Sequence, residues 1–481
     1  MNLSLPAWLA DENNWLLLAS LSIYALALMS AVRAIMVTRT AQGAMGWVIA
    51  LLALPIVTLP LYWVFGRTRF EGYTSRRATI TARARAELEP LWQLPAREEP
   101  PTAALRGLHG MAHQLSGAGF LGGNEIRLLV GGVATFDAIL DAIGAARRYI
   151  LVQYYIFNAD EIGGRIAEAL MDRARAGVRV SFMYDPIGSS LPRRFLARMQ
   201  AAGIECSQFD TTRGRGNRFR INFRNHRKIV VVDGDVAFLG GVNVCDDYYG
   251  KAGKGVWRDA HVRVRGPAAM IAAATFIKDW YWARRQLPRM DFDLPERQGD
   301  ARVLLWATGP ADEQPECTVS LLSSFNAARQ RIWIANPYFV PTEPVLQALR
   351  LAILRGVDVR IVVPFRADHK IVRLASQMYQ ADIVRTGGRV FRYRQGMIHT
   401  KAFVVDDVLA SVGSVNLDHR SILINFEIAA YSDEPAFIAA VEAMLAEDMR
   451  NSREVSLETV NRRSFINRLA TRSANLLAPI L

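Results

Sequence analysis

The sequence is poor in cysteine, lysine and histidine, and each scarcity excludes something. Only Cys206, Cys245 and Cys317 occur in 481 residues, far apart and odd in number. They supply neither a disulfide framework nor a C-x-x-C metal or redox motif. They read as buried thiols of a body that faces a reducing compartment. Lysine is rarer still relative to charge: of 58 basic residues only Lys228, Lys251, Lys254, Lys278, Lys370 and Lys401 are lysine, and the other 52 are arginine. A lysine at a defined position in such a chain has a specific reason to be there.

Charge is missing altogether from two long runs, Trp15 to Val32 and Ala41 to Phe65. Each can cross a hydrocarbon core, which needs roughly 20 apolar residues. Trp15, Tyr62 and Trp63 lie near the run ends, where amphipathic rings favour the interface. Asp11 and Glu12 precede the first run and no Lys or Arg does, which excludes the positive n-region of a signal peptide. Two such runs in tandem are hard to hide in a soluble core. Pro55 and Pro60 predict a kink or a re-entrant path in the second run. Arg67, Arg69, Arg76, Arg77, Arg83 and Arg85 follow the hairpin, against Arg33 and Arg39 in its connecting loop. That bias places the large C-terminal body on the cytoplasmic side. The basic stretch would lie against anionic headgroups.

What is abundant agrees. Hydrophobic residues make up 51%, and the formal net charge is +13. That charge favours a polyanionic partner, nucleic acid or anionic lipid, and the anchor selects lipid. The length allows two or three domains. After the Pro-rich stretch Glu98-Glu99-Pro100-Pro101 the chain repeats itself. Ala146 to Phe157, a helical stretch and Gly177 to Asp185 are matched by Ala328 to Phe339, a helix and Gly356 to Pro364. Both are strand–helix–strand units. The expected fold is therefore α/β: two similar α/β/α domains about a pseudo-two-fold axis, behind an N-terminal two-helix membrane hairpin. Expected boundaries are 1–70 for the hairpin, 71–120 for a basic linker, and 121–290 and 301–481 for the two domains. Residues 291–300 join the copies.

Each copy ends in one pattern. His226-Arg-Lys228-Ile-Val-Val-Val-Asp233 precedes Gly240-Gly-Val-Asn243, and His399-Thr-Lys401-Ala-Phe-Val-Val-Asp406 precedes Gly413-Ser-Val-Asn416. With seven histidines and six lysines in the chain, chance gives roughly 0.005 H-x-K-x4-D matches per chain of this length. Two in corresponding places of a repeat are not accidental. On a strand, residues i and i+2 share a face, so each histidine projects with its lysine. Asp233 and Asp406 then fall at tight turns. The Gly-Gly-x-Asn and Gly-Ser-x-Asn corners let backbone amides approach an oxyanion. Together the copies supply two imidazoles, two ammoniums and amide donors, a phosphate site with a nucleophile and an acid.

The duplicated motif resembles the phospholipase D superfamily, and the anchor plus two copies is similar to the bacterial cardiolipin synthases over nearly the whole chain. The resemblance implies a ping-pong phosphatidyl transfer without cofactor or metal. His226 would be the nucleophile and His399 the acid and base, with the reverse assignment left open by the repeat. Lys228, Lys401, Asn243, Ser414 and Asn416 would hold phosphoryl oxygens. Asp259 is expected to orient His226, and Glu427 to orient His399. Asp233 and Asp406 complete the motif set, although their turn position favours a structural role. Gly241 stands where the second copy has Ser414, which makes the halves unequal. His109, His113, His261, His369 and His419 are expected to be structural or on the surface.

The implied reaction joins two phosphatidylglycerols into cardiolipin and glycerol at a bacterial inner membrane, with the catalytic domains on its cytoplasmic side. Water or another alcohol as acceptor is the alternative. A nuclease fits the charge but not the anchor, so no nucleic-acid partner is expected. A non-enzymatic scaffold does not fit four intact motif residues. The acceptor and the oligomeric state are not written in the sequence. Two further segments invite a lipid surface: the arginine-rich stretch Arg213 to Arg227, equally a solvated loop, and the basic and apolar C-terminus, Arg462 to Leu481.

Overall fold

The computed structural model describes residues 12–38, 40–66, 70, 73, 93–211, 222–250, 256–290 and 293–478. The basic stretch Arg67 to Arg85 and most of the stretch 213–227 lie outside the described residues. The chain divides into two units, Met1–Gly72 with Thr211–Phe223, and Tyr73–Asp210 with Arg224–Leu481.

In the first unit, helix α1 (Glu12–Val37) is followed by α2 (Ala41–Ala53) and α3 (Pro55–Phe65). By itself only Asn14–Val37 is long and apolar enough to cross a membrane among the described residues. The second apolar run is interrupted, as Pro55 and Pro60 lead one to expect. It breaks at Leu54 because Pro55 brings no N–H and opens α3 instead. The Thr58 hydroxyl lies 2.8 Å from Leu54 O and 3.0 Å from Ala50 O, tying the start of α3 back to the end of α2. The three helices pack through small residues of α1, Ala27, Ala31 and Ala34, against Leu51, Leu59 and Tyr62. Leu17, Met29 and Met36 point outward, as lipid-facing side chains do.

The second unit holds one continuous 15-stranded sheet, in the order β15-β11-β10-β9-β12-β13-β14-β8-β1-β7-β6-β5-β2-β3-β4. The first half contains β1 (Leu121–Val130), β2 (Tyr149–Tyr154), β3 (Arg179–Tyr184), β4 (Glu205–Gln208), β5 (Ile229–Val232), β6 (Val236–Gly240) and β7 (Ala260–Arg265). The second contains β8 (Ala301–Thr308), β9 (Arg331–Ala335), β10 (Asp358–Pro364), β11 (Arg389–Tyr393), β12 (Ala402–Val405), β13 (Leu409–Gly413), β14 (Glu427–Ser432) and the short edge strand β15 (Ser452–Glu454). Read outward from the central antiparallel pair β1–β8, the halves run 1-7-6-5-2-3-4 and 8-14-13-12-9-10-11. Strand for strand these are the same order, which is the pseudo-two-fold. β2–β3–β4 and β9–β10–β11 are parallel, and β2, β5 and β12 are buried throughout, as parallel-sheet cores require. Each half has its own apolar core. Leu105, Leu108, Ala112 and Phe120, expected in a linker, fold into the core of the second half.

Both motif aspartates sit in the turns after β5 and β12, with φ of 54° at Asp233 and 47° at Asp406. Asp233 accepts the backbone N–H groups of Arg147, Arg148 and Tyr149 at 2.8, 2.7 and 2.9 Å. Asp406 accepts those of Arg329, Gln330 and Arg331 at 2.7, 2.9 and 2.7 Å. Each carboxylate thus fixes the start of the neighbouring strand. The short side chain also tolerates a left-handed backbone. Asp406→Ala leaves three backbone donors without their charged acceptor, which costs about 3 kcal/mol. The expected result is a lower thermal-inactivation midpoint in detergent. The specific activity of the surviving protein is expected to stay within about twofold, because this carboxylate is engaged by three backbone N–H groups of its turn.

Candidate active site

The motif segments enter the sheet at equivalent points, His226–Lys228 leading into β5 and His399–Lys401 into β12. β5 runs antiparallel to β2, and β12 to β9. The motif residues therefore lie at the carboxyl ends of the parallel strands, where open α/β sheets place ligands. Backbone contacts then cross the pseudo-axis. His226 N donates to Phe426 O at 2.9 Å, and His399 N donates to Arg258 O at 2.6 Å. Asn225 bridges Phe426, and Arg258 bridges Ile398, both in parallel sense.

Those crossings decide the acid–imidazole pairs, and they reverse the expectation. His226 Nδ1 lies 2.9 Å from Glu427 Oε2, and His399 Nδ1 lies 2.7 Å from Asp259 Oδ2. Asp259 does not orient His226, nor Glu427 His399. The segment carrying each acid runs beside the other copy's motif, so each acid is delivered across the axis. A carboxylate only accepts, so Nδ1 of each ring carries the proton and Nε2 is left for chemistry. Both acids are completely buried.

The surroundings of the two imidazoles differ. Tyr248 Oη lies 2.9 Å from His399 Nδ1. Lys401 Nζ donates to the His399 carbonyl and lies 2.5 Å from His399 Nδ1, 3.2 Å from Nε2 and 3.6 Å from Asp259 Oδ2. On the other side Lys228 Nζ donates to the His226 carbonyl at 2.6 Å and stands 5.4 Å from the Tyr155 ring centroid. Ser414 is not aimed at a phosphoryl oxygen. Its hydroxyl donates to Glu427 Oε2 at 2.5 Å and accepts from Ile428 N at 3.0 Å. Its counterpart must be glycine: a Cβ on Gly241 would meet Asp259 Oδ1 at 2.1 Å.

An open cleft of about 870 Å³ is lined by His226, His399, Asn243 and Asn416, with Arg224, Arg420, Tyr155, Tyr338 and Trp257. The Asn243 amide donates to Tyr248 Oη at 3.2 Å. Asn416 Oδ1 is buried without a partner among the described residues. Asp233 and Asp406 do not line the cleft, because the turns that hold them close the opposite ends of β5 and β12. They leave the catalytic set. His369, expected to be incidental, lies on the rim of the cleft.

Arg227, beside the first histidine, was missed in the sequence. Its guanidinium pairs with Asp279 at 2.9 and 2.8 Å, and donates to Glu427 O and Thr308 O at 3.0 Å each. Asp279 is closed by Gln153 at 2.8 Å, Asn225 at 2.9 Å and the Tyr73 hydroxyl at 2.6 Å. This ion pair holds the backbone of the acid that orients the neighbouring imidazole. The H-R-K sequence gives no sign of it, since surface arginines are everywhere in this chain.

Burial sets the electrostatics. It pushes His226 and His399 down to about 4, in spite of their carboxylates. It pushes Lys228 down to about 7 and Lys401 to about 8. Burial alone would raise the acids, but His226 and Lys228 beside Glu427, and Lys401 and His399 beside Asp259, outweigh it and leave both lowered. The free site thus contains two carboxylates, two neutral imidazoles and two easily discharged ammoniums. An anionic phosphodiester entering this site raises both imidazoles toward protonation.

Paired histidines and lysines at a two-fold seam define a phosphodiester-processing site of the phospholipase D type. A family model described as "Cardiolipin synthase, PLD-like domain" matches residues 139–251 and 321–449, and one described as "Phospholipase_D-nuclease N-terminal" matches 25–67. Cardiolipin synthase A of Pseudomonas aeruginosa (strain LESB58) is 42% identical over 478 residues, covering 98% of this chain and 97% of the relative. The protein of the same name in Pseudomonas fluorescens is 41% identical over 466 residues, covering 95% and 97%. The crystal structure of phosphatidylserine synthase from Haemophilus influenzae shares the fold, with a TM-score of 0.60 at 14% identity over 77% of this chain and 99% of that one. The chain belongs to the cardiolipin synthase family, phosphatidyltransferases of the phospholipase D superfamily.

Two predictions follow from this geometry. Gly241→Ser displaces Asp259 and should lower kcat about a thousandfold, as loss of an orienting acid does. Ser414→Ala removes one hydrogen bond to a carboxylate and should lower it about tenfold. Equal losses would show that the two corners are interchangeable. The second concerns pH. Lysines with pKa values of about 7 and 8 lose the charge that holds a phosphate as pH rises. kcat/KM, which already declines above about pH 4 because an acid such as His399 must first gain a proton, should therefore fall more steeply from about pH 7 upward. The unfolded chain binds more protons than the folded one between those values and the ordinary lysine pKa, so these lysines make stability rise over the same interval. A kcat/KM profile that does not steepen between about pH 7 and pH 9 would remove the lysines from phosphate binding.

Proposed function

We propose that this enzyme transfers a phosphatidyl group from one phosphatidylglycerol to the terminal hydroxyl of another, making cardiolipin and releasing glycerol. The observation that carries the reading is the pair of imidazoles, each held by the other half's carboxylate, in one cleft of a chain with an apolar anchor. The name shared by its full-length relatives supports the product. His226 Nε2 attacks phosphorus and the P–O bond to the departing glycerol breaks. Protonated His399 gives that oxygen its proton, leaving a phosphatidyl-histidine. The second lipid's hydroxyl then attacks phosphorus and gives its proton to His399, and the P–N bond breaks to restore His226. One difference favours His226 as nucleophile. Its ring has Glu427 on Nδ1 and no partner on Nε2 among the described residues, whereas Lys401 crowds the His399 ring, 2.5 Å from Nδ1 and 3.2 Å from Nε2. Lys228, Lys401, Asn243 and Asn416 hold the phosphoryl oxygens. The anchor returns the chain to the cytoplasmic face of the bacterial inner membrane, which the arginine bias after it supports.

Product analysis with labelled phosphatidylglycerol tests the reaction: cardiolipin with glycerol is expected, and phosphatidic acid alone would make water the acceptor. Phosphatidyl-p-nitrophenol separates the residue roles, because its leaving group needs no acid. Asp259→Asn, which disables His399, should give a burst of nitrophenolate and accumulate phosphatidyl-His226. Glu427→Gln should give no burst, its rate lower by about 10³ or more. The opposite pattern would make His399 the nucleophile.

A further inference from the structure

The last helix, Phe465–Asn475, is amphipathic in the wrong sense for a helix that serves only the core. Ordinarily the apolar stripe faces inward. Here Thr471 and Ala474 are the buried residues, while Phe465, Ile466, Leu469 and Leu476 are 70%, 77%, 54% and 81% exposed. At 100° per residue these four fall within one arc of about 100°. The helix is nevertheless firmly placed. The Ser464 hydroxyl caps it at Asn467 N, 3.2 Å away, and Tyr379 Oη donates to Asn475 Oδ1 at 2.7 Å. Tyr379 belongs to the helix Lys370–Thr386, whose first residues line the catalytic cleft. The exposed Arg468 and Arg472 both border one edge of the apolar arc, and no Asp or Glu occurs after Glu458.

We propose that this helix is a second membrane contact, lying in the headgroup layer of an anionic bilayer with Phe465, Ile466, Leu469 and Leu476 among the acyl chains. A second copy of the chain would suit the apolar arc, but its own helix brings no acid to the arginine edge. Anionic lipid satisfies both: apolar side chains enter the acyl boundary while guanidiniums pair with phosphates. Being docked on the helix that borders the cleft, it would hold the catalytic unit at a fixed height over its lipid substrates. The inference rests on the enzyme working at a bilayer and not on which alcohol accepts the phosphatidyl group.

The test uses the full chain in nanodiscs. An environment-sensitive fluorophore on Leu469→Cys should shift to the blue and be quenched by lipids carrying a shallow acyl-chain quencher, in discs containing phosphatidylglycerol. The native cysteines are buried and do not compete for label. The variant Phe465→Ser/Ile466→Ser/Leu469→Ser changes only exposed side chains. It should keep wild-type turnover on detergent-dispersed phosphatidylglycerol and lose about fivefold in nanodiscs, as removal of an interfacial apolar face does. A label that stays in water in anionic discs overturns the proposal. So does crosslinking of Leu469→Cys between copies, which would give the face to a second chain. If quenching occurs but wild type makes no cardiolipin, the proposed reaction falls and the membrane contact stands.

Discussion

Everything chemical in this enzyme depends on an exchange of carboxylates between two halves that look alike. Glu427 crosses to His226 and Asp259 crosses to His399. Neither half contains an oriented imidazole of its own, so the catalytic dyads exist only when the halves are docked. The backbone makes the same exchange, His226 N to Phe426 O and His399 N to Arg258 O. A two-fold seam does this naturally, because an element that reaches across the axis from one half has its counterpart reaching back from the other. It also explains why the sheet is continuous through β1 and β8. Any hinge there would separate acid from base.

Burial makes the docking stringent. Two carboxylates, two lysines and the Arg227–Asp279 pair lie almost without solvent at this seam. Isolated charges in such a place cost several kcal/mol each unless paired. The arrangement survives because the charges have partners: Lys401 faces Asp259, Arg227 faces Asp279, Glu427 takes Ser414 and His226, and Lys228 donates to the His226 carbonyl beside the Tyr155 ring. One consequence is a site whose resting imidazoles are neutral and whose lysines stand near neutrality. The proton that the leaving group needs is then drawn in by the charge of the phosphodiester.

Much of this was legible in the sequence, and the part that was not has one cause. The duplicated His-x-Lys pairs, the buried strands β5 and β12, and the tight turns at Asp233 and Asp406 are local patterns with local physics. The halves themselves came from the repeat. What a repeat cannot reveal is which copy serves which, since a carboxylate placed after each motif satisfies an uncrossed arrangement equally well. Ser414 was misread for a related reason: a hydroxyl in a glycine-rich corner suits an oxyanion, and only the approach of Glu427 shows where it points. Arg227 was invisible because arginine is the common basic residue here. At the other end of the chain, Pro55 announced a disturbance in the second apolar run, and the run divides there into α2 and α3.

One corner at which the two halves differ is also where their chemistry divides. Gly241 and Ser414 occupy the same corner of the repeat. In the first half the Asp259 carboxylate fills the space a side chain would need, and accepts its own Ala260 N–H at 2.8 Å. In the second half the longer Glu427 leaves room, and Ser414 occupies it as a donor. Glutamate with serine, and aspartate with glycine, are therefore two solutions to one steric problem, and exchanging a single member of either breaks it. The solutions differ in what they do to the imidazole. Glu427 shares its negative charge with a hydroxyl as well as with His226. Asp259 shares its own with Lys401, whose ammonium also lies against the His399 ring. A histidine with an unencumbered Nε2 suits attack on phosphorus, and one beside a lysine suits the passing of a proton. A perfectly symmetric site would offer two nucleophiles competing for one phosphate. The Gly–Ser difference, with the two acids of unequal length that it accompanies, breaks that tie.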